Sequence, residues 1–245
     1  MMSKRVDIQL RKDRVLSLAI DEYIITITPV SSSLLAQQYF PELSSATIRN
    51  ILAELEQEGF LTHPHTSAGR VPTQKGYRYY VDNLMKEIKL LEDEKQHIKK
   101  AYHAETLELE YLLETTSQIM SHTTHYTSII SVDGWGNKFF CKGTDLIVDY
   151  PEYQSLQKIK AILQALEEKE HLLEVINQDL KHKIGIYIGH EITCSQINNC
   201  SLVVSSFETR HGPTGRMAIL GPTRMDYKRV VSTIGYFSQL IKEMF

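Results

Sequence analysis

The segment between Ser44 and Val71 constrains the fold of this chain most strongly, because a helix pattern there leads directly into two strand patterns. The apolar residues of its first half recur with the i, i+3, i+4, i+7 spacing of a helix that buries one face: Ile48, Ile51, Leu52 and Leu55. Ser44 or Ser45 can supply the N-cap hydroxyl, and Gly59 is suited to the position just after the helix. The sequence therefore predicts a short amphipathic helix with defined ends.

A hairpin pattern follows this helix. Phe60–Thr62 is strand-like, residues 64–69 form a polar turn, and Arg70–Val71 can return as a second strand before Pro72 ends it. Two further helix patterns precede the amphipathic helix, over about residues 12–25 and 34–39. Three helices followed by a hairpin are typical of a winged helix-turn-helix domain.

The outward face of the amphipathic helix has the chemistry needed to read DNA. Its N-terminal half presents small and hydrogen-bonding side chains: Ser45, Ala46, Thr47, Arg49, Asn50 and Ala53. In the major groove, arginine can pair with guanine O6 and N7, and asparagine can pair with adenine N6 and N7. The alternative interpretation is an ordinary surface helix with mixed polar residues.

Charge does not identify a partner by itself, because the formal net charge of the 245 residues is -3. Basic residues nevertheless cluster on or just after the hairpin: Arg70, Lys75 and Arg78. The C-terminal half of the amphipathic helix is acidic, with Glu54, Glu56 and Glu58. We therefore expect that half to point away from a phosphate backbone, and the basic cluster to face one.

Other functional classes find little support in the sequence. No apolar run approaches the ~18 residues of a membrane span, and three cysteines are an odd number that favours reduced thiols in the cytoplasm. We find no phosphate-binding loop or catalytic motif. His63 with His65, His122 with His125, and Cys194 with Cys200 lack partners at zinc-site spacing. We expect no enzyme activity, no cofactor and no metal.

The second half of the chain predicts a different architecture. Residues 84–119 contain neither glycine nor proline, and their apolar spacing indicates a long helix or a helical hairpin, either a dimer seam or a helix packed on its own domain. Helix patterns also cover about residues 153–180 and 225–244. Strand patterns lie between these helices, at Thr127–Val132, Lys138–Cys141, Leu146–Val148, Lys183–Gly189, Ser201–Phe207 and Met217–Leu220. Their irregular order predicts an α+β fold with a mostly antiparallel sheet.

Two long motifs resemble one known family. These are residues 43–59 with residues 64–82, and the segment Gly221-Pro-Thr-Arg-Met-Asp-Tyr227, in which Arg224 and Asp226 can fix the turn into the last helix. Both are similar to the heat-inducible transcription repressor family HrcA. The resemblance implies a winged-helix domain followed by a GAF-like domain, and a dimer that binds double-stranded DNA at an inverted-repeat operator (the CIRCE element) ahead of chaperone genes. It also implies that the chaperonin GroEL modulates the repressor.

The resemblance sets the expected domains and site residues. We expect a DNA-binding domain over residues 1–82, a helical linker over 83–104 and a GAF-like domain over 105–245. The inserted domain that family members usually carry, implicated in dimerisation, has no room near residues 133–138. The expected DNA-binding residues are Ser45, Thr47, Arg49, Asn50, His65, Thr66, Ser67, Arg70, Lys75 and Arg78, with Arg49 and Asn50 reading bases.

Two alternatives to a simple repressor remain open at this stage. The GAF-like domain can bind a small effector and use the winged helix as its output, which a pocket lined by convergent polar groups would favour. A filled apolar interior would favour repression without an effector. In the other alternative, the winged helix makes only protein contacts, and it would then show no salt-dependent binding to a duplex.

Overall fold

The computed structural model describes residues 2–64, 69–86, 88–101, 109–135, 139–153, 155–178, 180, 183–209 and 212–244. The chain divides into two compact units, Met1–Lys86 and Glu87–Phe245. None of the helices within these described ranges is both long enough and apolar enough to cross a membrane.

The first unit is a helix-turn-helix with a small antiparallel wing. Its elements are α1 (Met2–Thr26), α2 (Ser32–Tyr39), α3 (Ser45–Gln57), β1 (Leu61–Thr62), β2 (Val71–Pro72) and α4 (Gln74–Tyr79), which runs into a π-helical turn over Tyr80–Leu84. We call residues 61–72 the wing. Strand β1 pairs with β2, and a bridge between Val30 and Arg70 adds a third chain segment to the ribbon. The predicted winged helix-turn-helix is therefore confirmed.

Two boundaries in the first unit differ from the prediction. Helix α1 begins at Met2, ten residues earlier than its apolar pattern suggested. Pro72 belongs to β2 and lies opposite Leu61, so the predicted end of the strand before Pro72 is wrong. The ribbon tolerates proline there because Pro72 lies beyond the Val30–Arg70 bridge, and the amide of Thr73 supplies the next bond, to the carbonyl of Phe60, at 3.0 Å.

The core of the first unit joins the inner faces of its helices. Ile48, Leu52 and Leu55 of α3 are buried as predicted, whereas Ile51 is half-buried. They belong to a core whose largest fully buried side chains in this unit come from α1, α2, α3, β1, the segment after α2 and the π-helical turn: Leu16, Ile20, Leu35, Phe40, Ile48, Leu52, Leu55, Leu61 and Tyr80. This burial fixes which face of α3 turns outward.

The second unit is an antiparallel sheet between two layers of helices. Its helices are α5 (Glu92–Ala101), α6 (Leu109–Thr124), α7 (Leu156–Glu168), α8 (Glu170–Ile176) and α9 (Tyr227–Met244). Its strands are β3 (Thr127–Val132), β4 (Phe139–Lys142), β5 (Ile184–Ile188), β6 (Cys200–Glu208) and β7 (Thr214–Pro222). The strand order is β4-β3-β7-β6-β5, and every neighbouring pair is antiparallel. The predicted α+β class with an antiparallel sheet is confirmed.

Both faces of this sheet are covered. Helices α6 and α9 pack together against it. Side chains of α7 and α8 form a core cluster with Ile129, Leu202 and Ala218 of the central strands. Because side chains alternate along a strand, the equally buried Ile130 and Val203 face the opposite helical layer. The described residues between the sheet and α7–α8 form a buried apolar cluster.

Three local predictions in the second unit are corrected or left open. Leu146–Val148 is part of a 3₁₀ helix (Asp145–Asp149) and not a strand, because only Ile147 is buried and Val148 is 62% exposed. The helix predicted over 153–180 is split into α7 and α8 at Lys169, whose φ is 60°. The pattern over 84–119 contains α5 and the first part of α6, but residues 102–108 between them lie outside the described residues.

Candidate nucleic-acid interface

Helix α3 begins where its sequence predicts. The hydroxyl oxygen of Ser44 accepts a hydrogen bond from the backbone amide of Thr47 at 3.1 Å, and lies 2.9 Å from the hydroxyl oxygen of Thr47. This N-cap satisfies one of the amides that a helix leaves open at its start. The positive end of the helix dipole therefore lies at a well-ordered surface position.

The N-terminal tip of α3, residues 45–50, presents two side chains that are free to bind a partner. Arg49 and Asn50 are exposed, as is Ala46, while Ser45 and Thr47 are half-buried. Within the described part of the chain, neither Arg49 nor Asn50 makes a side-chain hydrogen bond or ion pair. The side chains of Arg49 and Asn50 therefore project from the outer face of α3, while the inner face of the helix packs in the core.

The C-terminal end of α3 is capped by hydrogen bonds from the Gly59 segment and from Lys75. Gly59 has a φ of +78°, and its amide and that of Phe60 donate to the carbonyls of Glu56 and Leu55, both at 2.9 Å, so the predicted C-terminal glycine is confirmed. The ammonium of Lys75 donates to the carbonyl of Glu58 at 2.7 Å. Because Glu58 follows Arg49 and Asn50 by nine and eight residues, this end lies roughly 13 Å from them along the helix axis. The structure therefore does not bring Lys75 together with Arg49 and Asn50.

The acidic residues of α3 are neutralised within the first unit. The ammonium of Lys12, on α1, lies 2.7 Å from Oε1 of Glu58 and 3.1 Å from Oε2 of Glu54. Its side chain is only 11% exposed, and the hydrogen bond that it donates to Glu58 raises the pKa of Lys12 above its usual 10.5. The acidic half of the helix consequently carries less uncompensated charge than the sequence suggests. Sequence reasoning missed Lys12, since its partners are 42 and 46 positions away.

The third acid, Glu56, connects α3 to both arms of the wing. One oxygen of its carboxylate contacts Nδ1 of His63, just after β1. The other accepts a hydrogen bond from Nε of Arg70, just before β2, at 3.3 Å. We call Glu56, His63 and Arg70 the Glu56 cluster. The side chain of Arg70 is 14% exposed, so most of it is covered by neighbouring residues.

The remaining predicted residues are distributed as follows. Arg78 pairs with Asp82 at 3.2 Å along the turn that continues α4. His65, Thr66 and Ser67 lie outside the described residues. One residue that the sequence gave no reason to select is Arg14 of α1, whose guanidinium carbon lies 5.0 Å from the ring centroid of Phe40. Phe40 ends α2, so Arg14 is an exposed cation beside the turn into α3.

In the second unit, Arg224 and Asp226 make contacts at the start of α9. The carboxylate of Asp226 accepts a hydrogen bond from the amide of Arg229 at 3.1 Å, and the guanidinium of Arg224 pairs with Glu152, so these residues do fix the turn into α9. Among the described residues, no group of three or more His, Cys, Asp or Glu side chains is placed to hold a metal ion. A solvent-open groove of about 570 Å³ runs between residues 88–95 and α9.

The fold and this surface define a winged helix-turn-helix protein with a second, α+β unit. Residues 132–231 match the family model described as HrcA protein C terminal domain. The heat-inducible transcription repressor HrcA of Acetivibrio thermocellus is 28% identical over 333 residues, with 95% of each chain covered. The protein of the same name from Symbiobacterium thermophilum is 26% identical, with 96% of this chain and 98% of that one covered. Over nearly its whole length the chain is therefore similar to proteins of the HrcA family.

The chain is shorter than these relatives, and one solved structure shares its fold. The alignments run over 333 residues, more than the 245 of this chain, so the relatives carry additional residues that this chain lacks. That agrees with a short form, while the position of the missing part near residues 133–138 stays a prediction. A crystal structure of a protein described only as hypothetical is similar in fold, with a TM-score of 0.75 at 17% identity over 96% of this chain and 98% of that one.

Proposed function

We propose that the protein is a sequence-specific, DNA-binding transcription repressor of heat-shock genes. The observation that carries the proposal is the tip of α3, where Arg49 and Asn50 are exposed and uncommitted to partners in the described chain. Relatives named heat-inducible transcription repressor HrcA support the same function over nearly the full chain. Such a tip fits the major groove of a duplex, since a recognition helix contacts base edges through its N-terminal residues.

Each residue of the tip has a defined chemical role in this proposal. Arg49 donates to guanine O6 and N7, and Asn50 pairs with adenine N6 and N7. Ser45 and Thr47 contact phosphate oxygens or a thymine methyl group. On and after the wing, Arg70, His65, Thr66 and Ser67 contact the backbone or the minor groove, and Lys75 and Arg78 add positive charge nearby. In this proposal the tip of α3 reads the bases, and the wing positions the protein on the backbone.

The proposal also includes the oligomeric state, the cellular location and a protein partner. We infer a cytoplasmic homodimer whose two α3 helices enter successive major grooves about one helical turn apart, matching an inverted repeat of the CIRCE type. The chaperonin GroEL is the proposed modulator. The relatives support DNA-operator binding, whereas the dimer and the chaperonin rest on the family resemblance of the sequence motifs.

Binding of the purified full chain to two fluorescent duplexes tests the function. One duplex carries the inverted repeat and the other a shuffled version, and anisotropy is followed at two salt concentrations. We expect the inverted repeat to bind about 10³-fold more tightly or better, with affinity for both duplexes falling as salt rises. Equal affinity for the two duplexes, or binding that is independent of salt, would contradict the proposal.

Arg49→Ala tests the base-reading role itself. We expect a loss of about 1–3 kcal/mol on the operator and relaxed discrimination at one base pair, with a smaller loss on the shuffled duplex. Lys160→Ala is the matched control, because it removes an equal charge from an exposed position on α7 in the other unit. Equal losses on both duplexes for Arg49→Ala would remove Arg49 from the base-reading residues.

A further inference from the structure

We propose that Glu56 is the positioning residue that fixes the wing relative to the recognition helix for duplex binding. This inference rests on the proposed DNA-binding function and adds a residue whose role the sequence did not indicate. Glu56 lies on the second-last position of α3, so it belongs to the same rigid helix as Arg49 and Asn50. Its carboxylate is the point at which that helix is joined to the wing.

The two contacts of Glu56 hold both arms of the wing. His63 directly follows β1, and Arg70 directly precedes β2, so one partner lies on each arm of the wing. Arg70 is also fixed through its backbone, where its amide and carbonyl bond to Val30 at 2.9 and 2.8 Å. One carboxylate with two acceptor oxygens therefore restrains His63 and Arg70 at once, which an amide or a hydroxyl cannot do equally well.

The Arg70 contact leaves part of its guanidinium for another ligand. Glu56 accepts from Nε, while the terminal nitrogens of Arg70 make no hydrogen bond or ion pair with any described residue. A guanidinium fixed at Nε is restricted in rotation, so its remaining donors point in a defined direction. In this arrangement Glu56 orients Arg70 toward the backbone of a duplex whose groove already holds the tip of α3. A wing ordered before binding loses less conformational freedom on binding.

Loosening the wing and removing a negative charge should affect the two duplexes differently. On the operator, a loosened wing must be ordered during binding, whereas a shuffled duplex held by general electrostatic attraction does not require that order. Glu56→Gln should therefore reduce the ratio of operator to shuffled affinity about tenfold per protomer, since two side chains lose their restraint. Removing a negative charge should at the same time leave the affinity for the shuffled duplex equal to or above that of the unaltered protein.

Glu54→Gln is the matched control on the same helix. It removes the same charge two residues away, but Glu54 faces Lys12 on α1 and not the wing. We expect Glu54→Gln to change both affinities by a similar factor and to leave their ratio intact. His63→Gln is the second test, because it removes the imidazole that Glu56 contacts on one arm of the wing, and it should also lower the ratio.

The measurement is anisotropy of both duplexes with the full chain, with the unfolding midpoint of each variant recorded beside it. If the unaltered protein does not discriminate between the duplexes, the proposed function fails and the role of Glu56 falls with it. If the unaltered protein discriminates and Glu56→Gln and His63→Gln keep the same ratio, the function stands and the positioning role is overturned, even where the unfolding midpoint drops. An equal loss of ratio in Glu54→Gln also overturns it, since charge alone would then explain the effect.

Discussion

Replacing Gly76 by alanine has two opposing effects on the free energy of unfolding. Alanine has the higher helix propensity, but its methyl group would enter a closely packed site. Gly76 lies inside α4, where alanine is favoured over glycine by about 1 kcal/mol in an exposed helix. A Cβ atom at this position would lie 2.2 Å from the carbonyl oxygen of Phe60 and 3.2 Å from its carbonyl carbon. That oxygen also accepts from the amide of Thr73 at 3.0 Å and from its hydroxyl at 3.2 Å. The added methyl group therefore displaces backbone that already carries two hydrogen bonds.

The packing cost should exceed the gain in propensity. Overpacking a tight site costs about 1–3 kcal/mol, and each weakened hydrogen bond costs about 1 kcal/mol more. We expect Gly76→Ala to destabilise the first unit by about 2–3 kcal/mol net of the helix gain. For a domain of its size, this corresponds to a fall of roughly 10–20 °C in melting temperature. Far-UV circular dichroism of the full chain measures it.

Gly59→Ala is the comparison that isolates the steric effect. Gly59 has a φ of +78°, but a Cβ there would meet only Lys75, at 3.8 Å, so its cost is the left-handed backbone of about 1–2 kcal/mol. Tryptophan fluorescence reports on the second unit, because Trp135 is the only tryptophan, and it should change little in either variant. A Gly76→Ala protein that melts at or above the temperature of the unaltered chain would refute the argument from the Phe60 carbonyl.

Two further predictions concern titratable groups. Lys12→Met should destabilise the chain by about 1–2 kcal/mol, because it leaves Glu54 and Glu58 facing each other on partly exposed positions. Because folding raises the pKa of Lys12, its contribution to stability is complete below pH 10.5 and is lost as pH rises through the higher folded pKa. The urea midpoints of the variant and the unaltered protein should therefore converge in strong alkali. A difference between the midpoints that persists there would show that Lys12 stabilises the fold by packing alone. Burial raises the pKa of the Cys141 thiol to about 11 and that of Cys200 to about 12, so alkylation of the folded chain should keep accelerating roughly tenfold per pH unit from pH 8 to 10. A rate that levels near pH 9 would show an accessible, unperturbed thiol.

The recognition helix was predictable because its signals are local. Ser44, the apolar spacing and Gly59 lie within sixteen residues, and each has the role that its chemistry indicates. Where a single local signal was ambiguous, prediction failed: the apolar run Leu146–Val148 is too short to distinguish a strand from a 3₁₀ turn. The break at Lys169 carries no glycine or proline, so no local signal marked the end of α7.

The charge arrangement of α3 was beyond sequence reasoning, and it explains how a chain with a net charge of -3 can present a surface for DNA. Counting charges treats Glu54, Glu56 and Glu58 as repelling a phosphate backbone. In the fold, Lys12 lies against two of these acids and Arg70 against the third, and these contacts exist only once α1 and the wing have packed on α3. The same pairs that compensate the acids also fix the helix and the wing. Because the paired charges screen one another, exposed cations such as Arg49 and Arg14 and the positive end of the helix dipole contribute more to the field at this surface than the total charge suggests.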